Sequence, residues 1–285
     1  MTFTKPLDSP LQTSTEISYP GDTGILNFAA LRFFTSAIIW FDIIACISTR
    51  SRPHLVTYHR NLLSSASTSE GYYNNSRVQL HRIMGCQNWA MASIGEIAQL
   101  ASTPTGGSVD LQKIAHTGNT IQKRLEAQSL QVNTELIALQ QNYSGPPPHF
   151  LPDIYNHYVT LVVTRFFACA AFIYLRTAVT AHLTVFHIKD LLQDAIAAMS
   201  LIPDPCMIRG MVWPLCVAGC MASSLEDQET FRIAAKRAVQ DAPTFGNSIK
   251  ALEILEGSWE MQREHGRLVD CTTTIEKLGK CVLLV

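Results

Sequence analysis

The chain has 285 residues, of which 47% are hydrophobic, with a formal net charge of -1 and a pI near 6.7. This apolar content predicts a folded protein with a large core and excludes a mainly disordered chain. The near-neutral charge excludes a protein that holds nucleic acid through an extended basic face.

Cysteine usage and the N-terminal residues indicate an intracellular protein. The eight cysteines are scattered through apolar segments, and no two have C-x-x-C spacing. Without a secretory signal, this pattern predicts reduced core thiols. The two most apolar segments, residues 25–46 and 160–186, contain charged residues, and their uninterrupted apolar runs are too short to span a bilayer. They are interpreted as buried helices, and no membrane association is expected.

In chain order, residues 1–24 form a polar segment with three prolines, which predicts a flexible tail. A first helix is predicted over residues 26–47, apolar on several faces and therefore internal. A polar loop is predicted from residue 54 to 77. A second helix is expected over residues 78–100.

The next predicted helix, residues 109–141, is amphipathic. Its apolar positions recur in steps of seven, four and three at Ile114, Ile121, Leu125, Val132, Leu136 and Leu139. Such a stripe is typical of a coiled-coil seam or of one helix face packed on a core, and the second interpretation is favoured. A proline-rich linker near residues 144–149 follows it.

The remaining sequence predicts helices over residues 153–181, 186–200, 205–222, 225–239 and 247–263, then an apolar terminal run that docks on the fold. Ser223 and Glu226 have the spacing of a capping box. In the segment 205–222, Pro214 predicts a kink, with Gly210 giving the backbone room to bend. Because no segment alternates with period two, the predicted fold is all-α. We expect a single large domain over residues 25–285 with a kinked, buried central helix.

Motifs for nucleotide binding, serine hydrolysis and zinc proteolysis are absent from the sequence. The histidine pairs His54/His59 and His182/His187 are five residues apart, which does not place both rings on one helical face. Cys216 and Cys220 are four apart, but no nearby histidine or acidic residue completes a tetrahedral set. We therefore expect no metal, no cofactor and no catalytic residue, so that an enzyme is the less favoured class.

Several charged side chains lie in strongly apolar sequence. Buried charges are nearly always paired, so we expect at least one internal bridge between an acidic residue and an arginine. The alternative explanation for these charged residues is a polar ligand-binding pocket between helices. Its candidate residues are Arg176, Glu96, Arg209 and Trp213.

Nine short stretches carry a family resemblance. They are residues 31–34, 40–43, 48–53, 85–89, 94–97, 171–175, 212–220, 251–256 and 282–285. In this order, they resemble the large regulatory domain of fungal zinc-cluster transcription factors. The resemblance implies an all-α regulatory module in a nuclear regulator of metabolic or secondary-metabolite genes.

One part of the family pattern is missing. The zinc cluster of that family needs six cysteines in a basic N-terminal segment, whereas the first cysteine here is Cys46, inside the first predicted helix. We therefore expect no zinc and no direct sequence-specific DNA binding.

These observations leave two functions open. The first is a regulator of a fungal gene cluster that acts through protein contacts, either with a transcription factor or by self-association, in the nucleus or also in the cytoplasm. The alternative is a small-molecule-binding domain, or an enzyme derived from the same fold. A small-molecule effector is compatible with both.

Overall fold

The computed structural model describes residues 20–63, 78–104, 108–143, 151–179, 188–240, 246–279 and 283–284, with side chains of α1 described from Phe28 onward. Within these ranges the protein has eleven α-helices, one 3-10 helix and no strand, which confirms the all-α prediction. The α-helices are α1 Pro20–Thr49, α2 Val56–Leu63, α3 His81–Met84, α4 Asn88–Ala101, α5 Ser108–Asn142, α6 Pro152–Ala178, α7 Ile188–Ser200, α8 Val212–Gly219, α9 Leu225–Gln240, α10 Gly246–His265 and α11 Cys271–Lys277.

The helix α6 runs through the middle of the domain. Pro152 occupies its first turn, where a missing N–H costs no hydrogen bond. From Leu161 to Leu175 most side chains are buried, and α6 packs against α4, α5, α7 and α8. A helix that is apolar on all faces is stable only when other elements cover every face, and the neighbouring helices cover α6 in this way.

The predicted central helix is divided into two helices. Asp204 accepts a hydrogen bond from the N–H of Cys206 at 2.9 Å and caps a 3-10 helix, Pro205–Met211. The α-helix α8 follows, and every residue in it is buried, as predicted. The bend lies at Met211 and not at Pro214, which falls in the first turn of α8, where its missing donor has no intrahelical partner.

The C-terminal end of α8 is held by α10. The indole Nε1 of Trp259 donates to the carbonyl of Gly219 at 2.9 Å. Ser258 and Gln262 both donate to the carbonyl of Cys220. Because the last carbonyls of a helix have no partner within it, these donors satisfy groups that burial would otherwise leave unpaired.

The apolar stripe of α5 faces the core. Five of its six positions are at most 8% exposed, and Leu139 packs partly buried against the core cluster. The interpretation as one helix face on a core is confirmed, and the coiled-coil alternative is wrong for this stripe.

Other local predictions needed correction. The predicted loop 54–77 contains α2, and the helix predicted from residue 78 is divided at Gly85, whose φ of 73° separates α3 from α4. The N-terminal cap of α9 lies one residue later than predicted, at Ser224 and Asp227. Ser224 accepts from the N–H of Asp227 at 3.1 Å and donates to its carboxylate at 2.7 Å, because α9 begins at Leu225.

The boundary predicted at residue 24 falls inside α1, which begins at Pro20. Residues 1–19, the proline-rich linker 144–149 and the His182/His187 pair lie outside the described residues. In the terminal run, Leu284 is buried against the core, as expected for a segment that docks.

Two helices are long and apolar enough to cross a membrane by length and composition, the segment Phe28–Thr49 and α6. Core helices of folded proteins pass the same test, and 78% of the α6 window is buried inside the domain. In the Phe28–Thr49 window only 33% is buried, because one face of α1 points outward.

Candidate functional site

A polar network joins α1 to α2 around Asp42. Its carboxylate accepts hydrogen bonds from the backbone N–H groups of His54 at 3.0 Å and Leu55 at 2.9 Å. The Nε2 atom of His59 lies 3.0 Å from the same carboxylate, and both side chains are at most 10% exposed. An acidic residue in an apolar helix is thereby supplied with partners, as buried charges require.

Burial dominates the titration of His59. The loss of water around the imidazolium lowers the pKa of His59, and the nearby Asp42 carboxylate opposes this shift without cancelling it. His59 therefore favours its neutral form in the folded protein more than in the unfolded chain, where a histidine pKa is about 6.5.

This shift predicts a pH-dependent stability. Below pH ~6.5 the unfolded state binds more protons than the native state, so the free energy of unfolding falls as the pH drops toward the lowered native pKa. The variant His59→Gln should lose this part of the slope, by at most about 1.4 kcal/mol per pH unit for one proton. Urea unfolding between pH ~7.5 and ~5.5 measures the difference.

The matched control for this prediction is His116→Gln, since His116 is exposed on α5. It should keep the wild-type slope. His81, whose pKa is also lowered by burial, is present in all three proteins, so the difference isolates His59. Parallel stability curves for the wild type and His59→Gln would contradict the assignment.

A cleft of about 360 Å³ lies next to this network, between α2 and α4. This volume lies at the lower end of the range for small-molecule sites. Its lining residues are Arg52, Val56, Thr57, His59, Asn61, Ala92, Gly95, Glu96 and Gln99. The carboxylate of Glu96 is already paired with Arg124 of α5 at 2.6 Å, so it does not offer a free charge to a ligand.

A second cleft, of about 240 Å³, lies where α4, α6 and α11 meet the end of α1. Arg50 crosses one side of it, with a left-handed φ of 51°. Its guanidinium donates to Thr273 at 2.8 Å and pairs with Glu276 at 3.0 Å. Asp270, which also lines the cleft, caps α11 through the N–H of Thr273.

Neither of the two clefts described brings the four predicted pocket residues together. Glu96 lines the first cleft, whereas Arg176, Arg209 and Trp213 line neither of the two clefts described. Trp213 is 1% exposed. Arg209 donates from Nε to the carbonyl of Ala238 at 3.1 Å and so joins the 3-10 helix to α9. Burial lowers the pKa of Arg176, and the carboxylate of Glu126 opposes the shift.

Glu96 pairs with Arg124, but this bridge is not the internal one that we expected. Its side chains are 30% and 41% exposed, so it lies at the edge of the core. Surface pairs of this kind contribute about 0–1 kcal/mol, so this bridge is a minor element of stability.

Three buried thiols lie close together near α11. They belong to Cys271 of α11, Cys216 of α8 and Cys220, which directly follows α8. Burial raises the pKa of the Cys220 thiol well above its usual value, and the neighbouring Cys216 thiol and burial raise the pKa of Cys271. Burial also raises the pKa of Cys169 to about 12. The thiols of Cys169, Cys220 and Cys271 are thereby held in the protonated, unreactive form.

One group among the described residues has ligand atoms close enough for a metal ion. Atoms of Asp42, Cys46 and His54 lie within 4.8 Å of one another. Metal binding needs a thiolate, but burial raises the pKa of the Cys46 thiol. The Asp42 carboxylate already accepts two backbone N–H groups, so the set is better explained as the junction between α1 and α2.

The sequence analysis missed this junction and the Arg50 contacts. The sequence did contain a signal for the Asp42 junction. Asp42 is an isolated acidic residue in an apolar helix, and a buried carboxylate requires hydrogen-bond donors. The partners of Arg50 lie more than two hundred residues away along the chain, and no local pattern indicates them.

Comparison with known proteins identifies the family. A model described as the fungal specific transcription factor domain matches residues 10–285. The chain belongs to this family. The match includes every stretch on which the resemblance was based.

Several curated relatives are similar to the chain over most of its length. The chain is 27% identical to transcription factor dibT of Pestalotiopsis microspora over 98% of the chain and 44% of that protein. It is 26% identical to the pestheic acid cluster transcriptional regulator 3 of Pestalotiopsis fici, over 89% of the chain and 43% of the relative. It is also 26% identical to the ustiloxin B cluster transcription factor ustR of Aspergillus flavus, over 83% and 39%.

The chain thus spans less than half the length of each of these relatives. No solved structure matches it.

Proposed function

We propose that this chain is the regulatory domain of a transcription regulator that controls a fungal biosynthetic gene cluster. One observation carries the proposal. The relatives that match most of the chain are named as transcription factors or transcriptional regulators, and two of the names specify a cluster. The domain acts through protein contacts in the nucleus, and sequence-specific DNA contacts are not part of its role.

The physical properties of the chain support this form of the proposal. A net charge of -1 gives no general attraction to phosphate. Both clefts contain charged side chains that are already paired within the fold, His59 and Glu96 in the first and Arg50 and Asp270 in the second. A domain of this kind offers its outer surfaces for contacts with other proteins.

The alternative of a small-molecule-binding domain or a derived enzyme is less favoured. Of its candidate residues Arg176, Glu96, Arg209 and Trp213, only Glu96 lines either of the clefts described, and the Glu96 carboxylate is paired with Arg124. The buried thiols are held protonated, so they are poor nucleophiles.

A tethering experiment tests the proposal. The chain, fused to a heterologous DNA-binding domain, should change expression of a reporter with the matching operator at least severalfold, and the DNA-binding domain alone should not. In the source fungus, deletion of the gene should change transcript levels of a biosynthetic cluster. An unchanged reporter together with unchanged transcripts would refute the proposal, and a metabolite that accumulates without a transcript change would favour an enzyme.

A further inference from the structure

The second cleft lies where the ends of two long helices meet. The end of α4 and the end of α6 form two of its walls, and Arg50, which follows α1, and the start of α11 form the others. The residues that the two helix ends contribute are Ala98, Ala101, Ser102, Tyr174, Thr177 and Ala178. Because helices end here, main-chain groups as well as side chains are available on the walls of the cleft.

Tyr174 is the most deeply buried polar side chain of this cleft. It is 5% exposed, and its ring meets Trp213 edge-on. Burial raises the pKa of Tyr174, and the charges of Arg50 and Asp270 also act on it, so its hydroxyl points toward these two residues on the cleft wall. Among the described residues, none forms a hydrogen bond with this hydroxyl. A buried tyrosine hydroxyl usually has a partner, so its position at the cleft indicates a ligand.

Hydrogen-bond acceptors predominate on the walls. The hydroxyl protons of Ser102 and Thr177 are both donated to carbonyl oxygens of their own helices, at 2.9 and 3.0 Å, so these side chains can offer only their lone pairs. Ala101 and Ala178 are the last residues of α4 and α6, where carbonyl groups have no partner within the helix. A ligand that supplies several donors fits this set of groups.

The charges around the cleft favour a positive ligand group. Arg50 is the one cation among the lining residues described, and it faces two carboxylates, Glu276 at 3.0 Å and Asp270 at 4.0 Å. One positive and two negative charges leave an excess of negative charge. The C-terminal ends of α4 and α6 each add about half a negative charge. The last turn of α4 contains no basic residue, and Arg176 in that of α6 interacts with Glu126 of α5 and does not line the cleft.

The size and the apolar part of the cleft limit the rest of the ligand. Its volume of about 240 Å³ is below the range of about 300–1,000 Å³ for sites of drug-sized molecules, so the ligand has few non-hydrogen atoms. Ala98, Ala101 and Ala178 supply methyl groups to the walls. These surfaces suit a short aliphatic chain.

We propose that this cleft binds a small aliphatic primary amine in its ammonium form. The ammonium group donates to the hydroxyl oxygen of Tyr174 and to the acceptors at the ends of α4 and α6, and the chain of the amine lies on the alanine side chains. A bound amine would lie beside the contact between Arg50 and α11 and would stabilise that junction. An effector role for the amine rests on the proposed function, whereas its binding does not.

Calorimetric titration of the purified 285-residue chain tests the proposal with three probes of equal chain length, butylammonium, butyrate and 1-butanol. Butylammonium should bind with a Kd of about 1 mM or lower, and the other two should bind at least about 10-fold more weakly. Because a ligand of the native state raises its stability, the midpoint of thermal unfolding should rise with the concentration of butylammonium and not with that of butyrate.

Two tyrosine variants identify the site. Tyr174→Phe should weaken the binding of butylammonium by about 10-fold or more, since it removes a hydrogen bond to a charged group. It should keep the thermal stability of the wild type, because the hydroxyl that it removes has no partner among the described residues. Tyr158→Phe is the matched control. Tyr158 is 2% exposed and donates to the carbonyl of Leu201 at 3.2 Å, away from the cleft, so this variant should lose stability and bind like the wild type.

Several results would overturn the proposal. Absence of butylammonium binding at about 10 mM would do so, and so would equal binding of 1-butanol, which needs only an apolar surface. Tighter binding of butyrate would show that Arg50 selects an anion. Equal loss of binding in Tyr174→Phe and Tyr158→Phe would place the amine elsewhere. None of these measurements involves transcription, so failure of the amine site is separate from failure of the proposed function, which the tethered reporter measures.

Discussion

Replacement of Trp213 by alanine is expected to lower the free energy of unfolding by about 3–5 kcal/mol. Trp213 is 1% exposed at the centre of the fold. Its ring stacks on Phe167 with centroids 6.0 Å apart, and Tyr174 meets it edge-on at 6.1 Å. Truncation would leave a cavity lined by two aromatic rings of α6, and packed helices cannot close it. Urea unfolding followed by circular dichroism measures the loss.

Two variants make the Trp213 experiment specific. Trp213→Phe keeps a stacked ring and should lose clearly less stability than the alanine variant. Trp89→Ala removes a half-buried indole from the first turn of α4 and should cost less than Trp213→Ala. Equal losses at positions 213 and 89 would show that α8 does not occupy the centre of the core.

The variant Gly219→Ala is expected to destabilise the protein by about 1–3 kcal/mol, although alanine normally favours a helix. A Cβ atom at Gly219 would lie 2.5 Å from Cδ2 of Leu255 and 3.0 Å from Cδ1 of Phe231. Both neighbours are fully buried, so neither has space to withdraw. The same displacement would strain the hydrogen bond from Trp259 to the Gly219 carbonyl.

Gly210→Ala is the matched control for Gly219→Ala. A Cβ atom at Gly210 would meet nothing within 4 Å. The substitution should be neutral or should stabilise the protein by about 0.4–1 kcal/mol, because it restricts the unfolded chain. Thermal unfolding of the two single variants should therefore show shifts of opposite sign or a shift at position 219 alone. A neutral Gly219→Ala would contradict the close approach of α8 to α9 and α10.

Composition and periodicity were sufficient to predict the main helices. The segment 212–219 is apolar without interruption and α6 is apolar over most of its length, which predicts that both are buried, and α5 has one apolar face. The helix α2 was missed because its sequence, VTYHRNLL, is polar, and it is held in place by the Asp42 contacts made outside it. Ser223 and Ser224 are equally good caps, and only the packing of α9 selects between them.

The candidate site was harder to predict because it depends on where helices cross. An arginine in an apolar stretch can join two helices as readily as line a pocket, and Arg209 does so through its hydrogen bond to the carbonyl of Ala238. Cys271 meets Cys216 and Cys220 across about fifty residues of sequence. The spacing of residues within a single helix cannot predict such a contact between distant segments.

The contact between Arg50 and the residues of α11 has a consequence for biosynthesis. The first described helix is fastened to the last one, through a hydrogen bond between residues 223 positions apart. During translation, α1 leaves the ribosome long before Thr273 exists, so this contact closes only after the intervening helices have been made. A nonsense codon shortly before residue 270 would therefore release a polypeptide in which α1 lacks its α11 partner, a substrate for chaperones and proteases and not a smaller working domain.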